Sequence, residues 1–124
     1  MSTKNITAQN LDDTLNTNDI VLLDFWASWC GPCRMFGPIF ESFASKHPEV
    51  VCGKVDTEAE QQLAAEFRIM SIPTLMIFRQ NILVFSHSGV VPEAGLEELL
   101  QKVKALDMDQ VRKEIDAQEK NQEG

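Results

Sequence analysis

The stretch VLLDFWASWCGPC, residues 21–33, decides how this chain is read. From Ile20 to Ala27 it is a continuous apolar run broken only by Asp24. A run of that length suits a central strand covered on both faces. A carboxylate inside such a strand is costly to bury. The strand then runs into Cys30 and Cys33, with Gly31 and Pro32 between them.

A helix is expected next. Cys33 to Lys46 has helical spacing, with Phe36, Ile39, Phe40 and Phe43 on one stripe, Pro38 inside and His47-Pro48 at the end. With Cys30 as N-cap, Cys33 is the third helical residue. Residues three apart on a helix are neighbours, a separation compatible with the roughly 4.4–6.8 Å between Cα atoms that a disulfide bridges. The first N–H groups of a helix lack internal partners and point at the N-cap side chain, where the helix dipole adds positive charge. Both effects favour the nucleophilic thiolate at Cys30. Pro32 has no N–H to leave unpaired, and Gly31 lets a partner backbone approach.

Cys33, one turn further in, is expected to be the more buried sulfur, with its pKa raised. It must nevertheless lose its proton to resolve a mixed disulfide on Cys30. Side chains 22, 24 and 26 share a strand face, and the helix must cover one face. Asp24 can therefore sit beneath Cys33 and take or return that proton, its own pKa raised by burial. The competing reading is a structural aspartate bonded to the backbone or to a serine. Cys-x-x-Cys also fits half of a zinc site, but zinc takes four ligands. The remaining candidates, Cys52, His47 and His87, have no recognisable spacing, so no metal is expected. Cys52 reads as an inert buried strand residue, His47 as a favourable charge at a helix end and His87 as a solvated strand residue.

Outward from this centre, Thr7 can cap a helix over Ala8–Asn16, with Leu11 and Leu15 as its apolar pair. Val50–Val55 reads as a second strand, with Gly53 a weak point or a close-packing site. Thr57 and Glu60 read as a capping box for a helix ending at Phe67. Thr74–Arg79 and Leu83–His87 read as a hairpin turning over Gln80–Ile82, where the usual turn wants a glycine. Pro92 suits the first turn of a helix carrying Leu96, Leu99, Leu100 and Val103. Strand–helix–strand units predict a parallel centre, and the hairpin adds an antiparallel edge. Residues 107–124 are a charged, partly helical extension of net charge −3, with Met108, Val111 and Ile115 on one face; the domain proper is 1–106.

The chain has 124 residues, ordinary for one domain. Its net charge of −8 argues against nucleic acid and against an anionic membrane surface. No apolar run approaches the roughly 18 residues of a membrane span, and the polar start lacks the apolar core of a signal peptide. The expected location is the cytoplasm. Three cysteines read as one close pair and a spare, not as a stapled secreted framework.

Together, DFWASWCGPC, the helix with Pro38, KVDTEAEQQLAAEFRI, SIPTLMIF and Gly89 resemble the thioredoxin family from about Ile6 to Ala105. The Gly-Pro dipeptide resembles its reducing members. The resemblance implies an α/β thioredoxin fold: a central mixed, mostly parallel five-stranded sheet flanked by helices, here with an extra C-terminal helical tail. It implies Cys30 as attacking nucleophile, Cys33 as resolving thiol and Asp24 as proton-transfer residue. It implies a cis Ile72-Pro73 bond facing the disulfide, and a flat apolar docking surface of Trp29, Gly31, Pro32, Ile72, Pro73, Gly89 and Val90. Trp26 is assigned to the core.

It further implies a monomeric protein-disulfide reductase that binds no cofactor, uses a Cys30–Cys33 disulfide, and takes electrons from NADPH through a thioredoxin reductase. Its partners would be that reductase and disulfide-containing target proteins. Two departures stand out. Family members often carry a lysine near the buried aspartate, and Cys52 is expected to take that place, leaving Asp24 without a positive neighbour. Ser88 stands where an apolar residue is common. Two other classes stay open: a binding or holdase module whose docking surface matters more than its cysteines, and a disulfide oxidase or isomerase.

Overall fold

The computed structural model describes residues 2–123. Its elements, in chain order, are β1 (Lys4–Asn5), α1 (Leu11–Thr17), β2 (Ile20–Trp26), α2 (Gly31–Lys46), β3 (Val51–Asp56), α3 (Gln61–Glu66), β4 (Thr74–Arg79), β5 (Ile82–Ser88), α4 (Glu93–Lys104) and α5 (Met108–Glu123). The five strands form one sheet in the order β1-β3-β2-β4-β5. β3 pairs parallel with β1 and β2, while β4 pairs antiparallel with β2 and β5, so only β4 runs against the rest.

β2 lies at the centre because its apolar run can be covered on both faces. Alternation along a strand sends successive side chains to opposite faces. Ile20 and Leu22 join Phe36, Phe40 and Phe43 of α2 and Leu96, Leu100 and Val103 of α4. Val21, Leu23 and Phe25 join Leu11 and Leu15 of α1 and Leu63 of α3. This parity places Asp24 on the α2 side. On the opposite face, a side chain at Gly53 would run into Ile6 and Leu23, so Gly53 is a close-packing site.

Several local expectations are corrected. β1 is too short and polar to show a periodicity; it is held because buried Ile6 follows it and donates its N–H to the Lys54 carbonyl. α1 begins at Leu11, not Ala8. The Asn10 side chain accepts the Thr7 N–H, and residues 8–10 form a turn. There is no capping box at α3. The Thr57 hydroxyl donates to the Trp26 carbonyl, and the Glu60 carboxylate accepts the Ala8 N–H.

The hairpin turns on two residues, Gln80 and Asn81, with φ of 52° and 62°. Positive φ at both positions is what a tight hairpin loop needs, and asparagine tolerates it without glycine. Pro92 is the N-cap of α4, one residue before its first turn. α5 is a 16-residue helix whose Met108 is buried and whose Val111 and Ile115 are half-buried. Arg79 secures the approach to it: one guanidinium nitrogen donates to the carbonyls of Val103, Lys104 and Leu106. Carbonyls in the last turn of a helix lack intrahelical donors, and Arg79 supplies one to Lys104 and a second to Val103.

Candidate active site

The disulfide sits where β2 gives way to α2. Cys30 is the N-cap, in extended conformation with φ −86° and ψ 115°, and its N–H bonds back to the Ala27 carbonyl. Cys30 Sγ accepts the N–H of Cys33 at 3.2 Å. The two Cα atoms lie 5.2 Å apart and the residues are joined as a disulfide. Pro32 occupies the first turn, and Gly31 and Pro32 are exposed. The first turn of the helix thus offers its Cys33 N–H, which has no intrahelical acceptor, to Cys30 Sγ, as an N-cap position allows.

Burial does not separate the two cysteines as expected: each residue is 5% exposed. They differ in what they face. Cys30 opens onto a hollow of about 470 Å³ shared with Trp29, Gly31, Pro32 and Ile72. Cys33 opens onto another, of about 420 Å³, shared with Trp26, Arg34, Glu41 and Lys54.

Around Cys30, Trp29 is 65% exposed and its indole N–H bonds to the Glu58 carboxylate. Ile72-Pro73 is cis, and the Ile72 carbonyl oxygen lies 3.5 Å from Cys30 Sγ. The Gly89 N–H donates to the Pro73 carbonyl at 2.8 Å, with Gly89 at φ 108°, where a side chain would be strained. Pro73 is buried, and Gly89 and half-buried Val90 stand beyond it. Trp29, Gly31, Pro32 and Ile72 therefore share one hollow with the disulfide, and Gly89 is tied to it through Pro73. The same hollow is lined by Ala64, Ile69, Met70 and Ser71, which the sequence reading left out. For Ile69, Met70 and Ser71 the available signal was their adjacency to Ile72-Pro73; Ala64, on α3, gave none.

Asp24 is fully buried, and neither carboxylate oxygen has a hydrogen-bond partner. Burial pushes its pKa from 3.8 up to about 6, against the pull of Lys54. Here the expected departure is overturned. Parallel pairing of β2 with β3 sets Lys54 opposite Asp24 and Cys52 opposite Leu22. The Lys54 ammonium lies 3.8 Å from Asp24 Oδ2 and 5.0 Å from the centre of the Trp26 ring. Asp24 thus keeps a positive neighbour, and that neighbour opens onto the hollow of Cys33.

Cys52 is 2% exposed, and burial pushes its thiol up to about 12, helped by Glu41 and Glu49. It is a packing residue on the α2 side of β3. His47 closes α2, its two ring nitrogens 2.7 Å from Glu97 and 3.1 Å from Glu49. Burial works against its charge, but these bonds outweigh it and its pKa is raised. His87 is exposed on β5. Cys52, His47 and His87, the residues weighed as metal ligands, lie on three different elements.

The sequence model of the thioredoxin family matches residues 2–102. A Streptomyces coelicolor protein named "Putative thioredoxin 2" is 50% identical over 118 residues, covering 95% of this chain and 88% of the relative. An alignment of that length runs into α5. A thioredoxin from Porphyra purpurea is 40% identical over 104 residues, 82% of this chain and 97% of its own. Among solved structures, a mutant thioredoxin from Halobacterium salinarum superposes with a TM-score of 0.78 at 32% identity, covering 84% of this chain and 92% of the other.

Proposed function

The chain belongs to the thioredoxin family and is a protein-disulfide reductase, and from that premise we propose that Cys30 attacks, Cys33 resolves and Asp24 takes up the proton of Cys33. In the reduced protein the Cys30 thiolate attacks one sulfur of a target disulfide. A Cys30–target bond forms, the target disulfide breaks, and the released target sulfur takes up a proton. Cys33 then gives its proton to Asp24 and attacks Cys30 Sγ. The mixed disulfide breaks, the second target sulfur leaves as a thiolate and takes up a proton, Asp24 gives up its own to solvent, and the pair is oxidised as the structure holds it. Two electrons pass from the protein dithiol to the target.

The observation that carries this reading is the placement of Cys30 Sγ at the N-terminus of α2, accepting the Cys33 N–H. That environment stabilises a thiolate at Cys30 and not at Cys33. The test is the rate of alkylation of the reduced protein against pH, with each cysteine followed by mass. Cys30 should react first, with an apparent pKa below the ordinary value of about 8.5. Equal rates at the two cysteines would overturn the assignment.

Trp29, Gly31, Pro32, Ile72, Pro73, Gly89 and Val90 form the target surface in this reading, with the Ile72 backbone free to pair with an extended segment. The dithiol is restored by a thioredoxin reductase drawing on NADPH, and the protein works as a monomer in the cytoplasm, where a reducing dithiol is maintained. No helix among the described residues is long and apolar enough to cross a membrane.

Residues 1–106 carry the reaction and α5 is an accessory. A chain cut after Leu106 should keep its turnover within about twofold. It should lose about 1–2 kcal/mol of stability, mainly from the buried Met108. Coupled turnover and denaturant unfolding measure the two; a large loss of turnover would make α5 part of the machinery.

A further inference from the structure

Four large apolar side chains are markedly exposed among the described residues: Trp29 and Met35 at 65%, Leu83 at 46% and Met70 at 94%. Met70 is the extreme, and it lines the hollow of Cys30. The backbone leading into it is tied to α3. Arg68 has φ 54°, and its N–H bonds to the Ala65 carbonyl, while the Ile69 N–H bonds to that of Ala64. Phe67, Ile69 and Ile72 all turn inward onto the core beneath α1 and α3. Met70 is the apolar member of this segment left without a packing partner.

A target joined to Cys30 is held there by a covalent bond, so the residue next to its cysteine must fall within a few ångströms of this hollow. An exposed thioether gains contacts only when something covers it, and its unbranched chain adapts to many apolar shapes. We propose that Met70 is a specificity-determining residue, forming with Trp29 the wall that receives an apolar side chain adjacent to the target cysteine. This rests on the reading of the Cys30 hollow as the docking surface. A charged neighbour would lose its water against the same wall and gain no partner there.

The test compares two peptide disulfides that differ only in the residue beside the attacked cysteine, leucine in one and glutamate in the other. The readout is the ratio of their kcat/KM values, with the reduction potential measured alongside. Met70→Ser should lower the leucine-to-glutamate ratio roughly fivefold, as expected for losing part of one buried apolar contact, and leave the potential unchanged. Met70→Leu should keep the ratio. Because Met70 is almost wholly exposed, the serine variant has little packing to lose. An unchanged ratio in Met70→Ser overturns the proposal, as does a ratio lost together with a shifted potential. Trp29→Ala serves as the control and should slow both peptides. If it slows neither, the docking reading itself fails.

Discussion

Serine in place of Cys33 should stop turnover by about a thousandfold or more while leaving the first attack intact. Removing a group that acts as one member of a catalytic unit costs on that scale. Cys30 keeps its N-cap position and the donor that stabilises its thiolate, since the Cys33 N–H belongs to the backbone. Attack proceeds, and no second sulfur stands near enough to release the product. The protein should accumulate as a one-to-one mixed disulfide, readable as a mass increase equal to one target half. Cys30→Ser should form no adduct on Cys52, which is sealed and protonated. Normal turnover by the Cys33 variant would remove the resolving role, and an adduct on Cys52 would contradict its burial.

Replacing Asp24 with asparagine should change both stability and rate, each with a defined pH signature. The folded carboxyl is raised from 3.8 to about 6, chiefly by burial. Between those values the folded protein holds a proton that the unfolded chain has released, so stability falls as pH rises through this window and is flat above it. Two pKa units correspond to about 3 kcal/mol. The wild type should therefore lose about that much relative to Asp24→Asn between pH 4 and pH 7, measured by denaturant unfolding of the oxidised forms. A parallel pH dependence in the two proteins would mean that Asp24 is not shifted.

The reaction should move the other way. Without the carboxylate, release of the mixed disulfide at neutral pH should slow by about a hundredfold, the lower range for a positioned proton acceptor. The inflection near pH 6 should vanish from its profile. The same substitution would thus stabilise the protein and disable it.

The residues themselves made much of this visible. An aspartate in an apolar strand and two cysteines at a strand-to-helix junction are local features, and both the N-cap position of Cys30 and the burial of Asp24 follow from local rules. The partner of Asp24 did not follow. Whether Lys54 or Cys52 lies opposite depends on the parallel register of β2 and β3, which is set by long-range pairing. A shift of two residues along β3 exchanges a cation for a neutral thiol without altering any local pattern.

β1 escaped notice for a related reason: two polar residues carry no periodicity, and their pairing is held by Ile6 and the β3 backbone. The capping box at Thr57 and Glu60 was a sound local motif overruled by more distant partners, Trp26 and Ala8. Met70 was silent because an apolar residue in a loop looks the same in sequence whether it packs inward, as Ile69 does, or stands in water.

The burial of Cys52 has a consequence for electron counting. With its thiol pushed to about 12 and only 2% of the residue exposed, the third sulfur takes no part in exchange at any physiological pH. The molecule is left with an even number of exchanging sulfurs and hence two stable oxidation levels, separated by two electrons. It should titrate along a single Nernst curve of about 30 mV per tenfold change in the buffer ratio, with no one-electron shoulder and no disulfide-linked dimer in the oxidised plateau.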